Sequence, residues 1–128
     1  MRVGDSIWHS ARINEDNAEI AEFAEPTEIR TQFNYLTVQP YISRHDLRVQ
    51  ANGETIYGDW SIVANARCFD GKIKLGDLFW VDGEKPIEEV ETEYGFGTSA
   101  NAEVVAVMPV NISINIVLRK RQNQIVEL

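Results

Sequence analysis

Apolar and polar residues alternate along much of this chain with a period of two, the signature of pleated strands with one buried face. The alternation is cleanest from Asn111, where Ile112, Ile114, Ile116 and Leu118 share one face and Asn111, Ser113, Asn115 and Arg119 the other. A helix would scatter those isoleucines around its circumference, and β-branched residues favour the strand. Glu103 to Val107 forms a second β-rich run, and Pro109 predicts a bulge or break between the two. Glu28 to Val38 alternates as well, with Ile29, Thr31, Phe33, Tyr35 and Thr37 on one side, bracketed by Pro26 and Pro40. From Trp60 to Phe69 the pattern sets Trp60, Ile62, Ala64, Ala66 and Cys68 against Ser61, Val63, Asn65 and Arg67.

Turn signals punctuate these runs. Asp70-Gly71 and Gly76-Asp77 precede the apolar stretch Leu78-Phe79-Trp80-Val81. Asp82-Gly83 then predicts a tight turn, with Ile87 to Tyr94 returning as the hairpin partner and Glu88, Glu89, Glu91 and Glu93 forming an exposed strand face. Near the start, Ile7 to Ile13 reads as a short strand and Asn14 to Asn17 as a turn, while Ala18 to Ala24 reads as a strand or extended arm. Two segments read as long loops, 40–59, where only Leu47 to Val49 hints at order, and the glycine-rich Tyr94 to Asn101. Strands separated by turns every 8–12 residues imply an all-β, single-domain β-barrel or sandwich over residues 1–128, with long inter-strand loops and an acidic N-terminal strand or arm over 1–26.

Charge narrows the function. Twelve basic residues against 20 acidic ones give a net charge of −8 on 128 residues. Lys and Arg supply most of the grip on phosphates, so stable nucleic-acid binding is disfavoured, as is docking on anionic lipid. No stretch approaches the ~20 apolar residues of a membrane helix, and Met1 to Ser6 does not resemble a signal peptide. A single cysteine, Cys68, excludes an internal disulfide and reads as a small buried hydrophobe in a reducing interior.

Candidate chemistry is thin. The phosphate-loop, zincin and hydrolase-elbow motifs are absent, and Gly95-Phe96-Gly97 lacks the third glycine of a dinucleotide loop. His9 and His45 lie in separate segments and read as ordinary histidines rather than metal ligands, and nothing positions either beside Cys68 as a nucleophile pair. Asp70, Asp77 and Asp82 would have to converge to hold calcium, whereas each is explained by the turn it occupies. A glycosidase pair drawn from Glu88, Glu89, Glu91 and Glu93 has no pocket aromatic tied to it by spacing. The expectation is therefore a protein that is not an enzyme, with no cofactor and no metal. Arg119-Lys120-Arg121 reads either as a charged cap on the last strand or as a contact for an acidic neighbour, another copy included.

Several motifs together resemble one family. Glu22-Phe23-Ala24-Glu25-Pro26 with Arg30 to Pro40, Asn52-Gly53-Glu54, Tyr57-Gly58-Asp59-Trp60, Lys74 to Pro86 and Tyr94-Gly95-Phe96-Gly97…Ala100-Asn101-Ala102 are similar to small minor capsid proteins of tailed bacteriophages, in the head–tail connector group that includes head-closure, or stopper, proteins. The likeness spans roughly Glu22 to Leu118. It implies a small β-barrel in the virion neck, made in the host bacterial cytoplasm and assembled as a homo-oligomeric ring beneath the portal and its adaptor. Such a ring closes the DNA channel, docks tail proteins, and lets DNA pass close by without specific binding. A long loop can reach into the channel as a plug; by position the candidate is 40–59, with Tyr41, Arg44, His45, Asp46, Glu54, Tyr57 and Asp59. Tyr94 to Asn101 is the second choice, and Tyr94, Phe96, Arg119, Lys120 and Arg121 are candidate subunit or partner contacts. Acidic subunits repel duplex DNA where a basic lining would hold it. The alternatives are a tail-terminator or tail-completion ring and, from another class, a small-ligand-binding or enzymatic β-barrel with its site in the loop mouth.

Overall fold

The computed structural model describes residues 6–14, 21–30, 37–40, 48–51, 54–69, 73–110 and 113–121. Its strands are β1 (Ser6–Ser10), β2 (Thr27–Arg30), β3 (Thr37–Pro40), β4 (Arg48–Ala51), β5 (Glu54–Tyr57), β6 (Trp60–Asn65), β7 (Leu78–Trp80), β8 (Ala102–Val110) and β9 (Ser113–Lys120), with one helix, α1 (Glu88–Tyr94). Seven strands form a wholly antiparallel sheet in the order β2-β1-β7-β8-β9-β6-β3, and β4 and β5 pair as a separate two-stranded sheet. The chain is an all-β domain.

The seven-stranded sheet must curl. Arg30 ends β2 at one edge and Thr37 begins β3 at the other. The intervening chain spans at most about 25 Å, whereas the edges of a flat seven-stranded sheet stand about 29 Å apart. The packing shows the same curvature. Ile29 of β2, Ile7 of β1, Phe79 of β7, Val104 of β8, Ile116 and Leu118 of β9, and Trp60 and Ile62 of β6 meet in one buried cluster. The alternations that predicted β6 and β9 put the expected residues inside, namely Trp60, Ile62 and Ala64 on one strand and Ile114, Ile116 and Leu118 on the other.

The strand β7 is buried on both faces. Phe79 points into the main core, while Leu78 and Trp80 pack on the far side with Ala100, Trp8 and Phe23. That explains its unbroken apolar run. The turn after it has both central residues at positive φ, Asp82 at 57° and Gly83 at 83°, and closes with Glu84 N–H donating to the Val81 carbonyl at 3.2 Å.

Several expectations are corrected. Segment 40–59 is not an unstructured loop, because β4 and β5 pair from Arg48↔Tyr57 to Ala51↔Glu54. Only Asn52-Gly53 lies between the strands, and Asn-Gly is the strongest short hairpin signal. The run from Ile87 to Tyr94 is a helix, not the return strand of a hairpin, and β7 pairs instead with β1 and β8. Glutamate is poor in strands and favourable in a first helical turn, where Glu88, Glu89 and Glu91 meet the positive end of the helix dipole. The strand from Trp60 stops at Asn65, where the Asn65 side chain accepts the Arg67 N–H at 2.9 Å and residues 66–69 turn into a 3-10 helix.

Pro109 neither breaks nor bulges its strand. It lies within β8 opposite Ile114, and the register shift falls between Val104 and Ala106. The β7 ladder on the other side of β8 reaches only Ala102 and Glu103, so Pro109 has a strand neighbour on one side alone among the described residues. The last strand is described from Ser113 to Lys120, and Asn111 and Ile112 lie outside the described residues. Glu28 to Val38 is not one strand, since its described ends belong to β2 and β3 at opposite edges of the sheet. At the N-terminus, Arg12 bridges Phe23, so part of the predicted arm folds back on the strand before it; residues 15–20 lie outside the described part.

Candidate functional site

A layer built from α1 and the segment after it covers the outer face of β1 and β7, and a cleft of about 800 Å³ opens beside it. Trp8, Pro26, Pro86, Ile87 and Phe96 form its apolar walls, with Glu25, Lys85, Glu88 and Thr92 around them. Ile87 and Phe96 are 47% and 43% exposed, unusual for large apolar residues next to a well-packed layer. Tyr94, at the end of α1, is 60% exposed.

The layer is held by a buried carboxylate. Glu91 is 5% exposed, which overturns its place on an exposed strand face. One of its oxygens accepts the backbone N–H groups of Gly97 and Thr98, and the other accepts the N–H and the hydroxyl of Ser99. The Ser99 oxygen in turn accepts the Trp80 indole N–H at 3.0 Å and the Ile87 N–H at 3.3 Å. Helix, loop and β7 thus share one network. The spacing Ile87, Val90, Glu91, Tyr94 was the available signal for it, since i, i+3, i+4, i+7 marks one helical face.

Arg121 clamps the same loop from the other side. Its guanidinium donates to the carbonyls of Gly97 at 2.8 Å and Ala100 at 3.3 Å, and its N–H donates to the Asn101 carbonyl at 2.9 Å. Partial burial lowers the guanidinium's pKa from its ordinary value, and the carboxylates of Glu103 and Glu91 act in the opposite direction. Asn101 continues the brace, accepting the Val81 N–H and donating to the Val81 carbonyl. Gly97 sits at φ +89°, and a Cβ there would stand 2.6 Å from the Leu78 Cδ1 atom. Gly97→Ala is expected to lower stability by about 2 kcal/mol, read by chemical denaturation; an unchanged midpoint would show that Leu78 gives way to the added methyl and that the positive φ costs little.

A second buried network lies at the other end of β7. Asp77 is fully buried and accepts from His9 Nε2 at 2.8 Å, from the Arg12 N–H at 2.9 Å and from the Lys74 N–H at 3.2 Å. The His9 ring stacks on Phe79 and meets Phe69 edge-on. Asp82 instead accepts the Trp60 indole N–H at 2.8 Å. Asp77 and Asp82 therefore serve separate networks and do not form a shared cation site, and Asp70 lies outside the described residues. No group of three or more metal-ligating side chains occurs among the described residues.

The remaining candidates are scattered. Tyr41, Arg44, His45 and Asp46 lie outside the described residues, while Glu54 and Tyr57 stand at the two ends of β5. Asp59 accepts the Lys120 N–H at 2.7 Å and donates its own N–H to the Leu118 carbonyl, joining β6 to the end of β9. In the basic triplet, Arg119 pairs with Glu103 at 2.8 Å, Lys120 is exposed, and Arg121 is the clamp described above. Phe96 and Arg121 are thus brought to one loop, with Tyr94 at its start; Arg119 and Lys120 stand on the last strand. Trp8 and Ser99, which join the cleft or the network beside it, carry no sequence motif that marks them.

No helix among the described residues is long and apolar enough to cross a membrane. No family model matches the chain, and no curated protein or solved structure matches it.

Proposed function

We propose that the chain is a structural protein of the neck of a tailed bacteriophage, a virion component made in the host cytoplasm. It forms a homo-oligomeric ring below the portal and adaptor, closes the DNA channel and docks the tail. The motifs between Glu22 and Leu118 resemble those of the head–tail connector group, and the observation that carries the proposal is the β4–β5 ladder. Between β3 and β6, where the family resemblance places a plug, the chain forms a paired ribbon outside the main sheet. Each four-residue strand is about 13 Å long, and cross-strand hydrogen bonds let such a ribbon keep its shape where a disordered loop would not. The charge of −8 suits a passage that lets phosphates slide by.

The two buried carboxylates support a scaffold rather than a catalyst. Glu91 and Asp77 are each engaged by three or more donors from the protein itself, which leaves them as braces and not as free acids or bases. The test is a phage lacking the chain, complemented with wild type or with Asp46→Asn and Glu54→Gln together. Loss of the chain is expected to yield heads that lose their DNA to nuclease, and the double variant to retain several-fold less DNA than wild type. Heads that keep their DNA beside tails of abnormal length would assign the tail-terminator role instead. Particles unaffected by the double variant would remove the plug from this segment.

A further inference from the structure

The cleft beside α1 joins apolar walls to an acidic rim. Ile87 and Phe96 stand exposed on its walls, and half-buried Trp8, Pro26 and Pro86 complete them. Three carboxylates, Glu25, Glu88 and Glu91, line it against Lys85 alone. Glu91 is already engaged by Gly97, Thr98 and Ser99, which leaves the exposed side chains of Glu25 and Glu88. Neither of these forms a side-chain hydrogen bond or ion pair among the described residues. One tryptophan is in the same position. Trp60 donates its indole N–H to Asp82 and Trp80 donates to Ser99, whereas the Trp8 N–H has no acceptor among the described residues.

We infer that this cleft receives a segment of a partner protein in which an aliphatic or aromatic side chain is flanked by arginine or lysine. Each part of the lining selects one part of that segment. The apolar anchor leaves water for the surface of Trp8, Pro86, Ile87 and Phe96. Its cationic neighbour meets Glu25 and Glu88, and charge placed on the rim of an apolar contact acts chiefly on which partner is admitted. A guanidinium has a further advantage, since it stacks favourably on an aromatic face. A backbone carbonyl of the segment supplies the acceptor that the Trp8 N–H lacks. Acidic peptides, nucleic-acid phosphates and anionic lipid headgroups would each bring negative charge to two unpaired carboxylates, so the same rim turns them away.

This inference does not rest on the neck reading and is tested on the isolated full-length chain. The probe is a short blocked peptide of alternating arginine and leucine, labelled at one end and titrated at physiological ionic strength by fluorescence anisotropy. Peptides with glutamate in place of arginine, or serine in place of leucine, are its controls. The arginine–leucine peptide is expected to bind about tenfold more tightly than either control. Glu25→Gln with Glu88→Gln is expected to weaken it about fivefold, and Ile87→Ser by a similar factor; all three positions are exposed, and circular dichroism checks that the fold is kept. Glu89→Gln with Glu93→Gln removes the same charge from exposed positions of α1 outside the cleft and is expected to change binding less than about twofold. Equal losses for the two glutamine pairs would reduce the attraction to net charge and overturn the inference. An arginine–serine peptide that binds as tightly as the probe, or a probe that does not bind, would overturn it as well. Sedimentation of the chain alone completes the test, because a dimer broken by Ile87→Ser would give the cleft to a second copy instead.

Discussion

Replacing Glu91 by alanine is expected to lower the free energy of unfolding by about 3–5 kcal/mol. The side chain is buried, and its two oxygens accept three backbone N–H groups and the Ser99 hydroxyl. Removing it leaves those donors without their acceptor and opens a void between α1 and the segment 97–99. In a domain of this size that loss corresponds to a fall in melting temperature of roughly 10 °C or more. Glu91→Gln separates charge from shape. An amide keeps one acceptor oxygen but turns an NH2 toward donors that need an acceptor, so its cost is expected to be smaller than that of alanine and well above zero. Circular dichroism melts measure both. Amide exchange should locate the effect, with Gly97, Thr98 and Ser99 losing protection first. A change below about 1 kcal/mol for alanine would mean that water replaces the carboxylate readily and that the network does not hold the layer.

Asp77→Ala is expected to cost a similar amount, about 3–5 kcal/mol, at the opposite end of β7. Asp77 is fully buried and ties three separate pieces of chain together, through His9 on β1, the Arg12 N–H beyond it and the Lys74 N–H. His9 is packed against Phe79 and Phe69, so it cannot swing out to find another partner without disturbing the core. Asp77→Asn is expected to be milder. Its oxygen can still accept from Arg12, and its NH2 can donate to a neutral His9 whose Nε2 is unprotonated. A double-mutant cycle with His9→Phe measures how much of the loss belongs to the pair. Since Asp77 serves two backbone donors besides His9, the double variant is expected to be little less stable than Asp77→Ala alone. Full additivity would place His9 outside the network.

Strands were legible where one face of the sheet meets the core and the other meets solvent or a polar neighbour. Trp60, Ile62 and Ala64, and Ile114, Ile116 and Leu118, alternate in the sequence because they alternate in space. Reading failed where something other than a half-buried face set the conformation. Four glutamates in six residues mimic an exposed strand edge, yet α1 turns one of them, Glu91, into the interior to satisfy a loop that follows it in sequence. The β4–β5 hairpin escaped because its strands are only four residues long, although Leu47, Val49 and Ala51 alternate with Arg48 and Gln50 and Asn52-Gly53 follows them as a turn signal.

By itself, then, the sequence determined the fold class, the core faces of β6 and β9, the turn at Asp82-Gly83, and a net charge of −8. These are properties of local period, local turn chemistry and summed charge, each of which acts within a few residues or over the whole chain without regard to its path. Only the tertiary structure decided which polar residues matter. Glu91 meets Ser99, Asp77 meets His9, and Arg121 meets Gly97 across separations of 8, 68 and 24 residues. A carboxylate in water and one beneath a layer of backbone donors look the same in a sequence, because burial is conferred by what the rest of the chain brings to it.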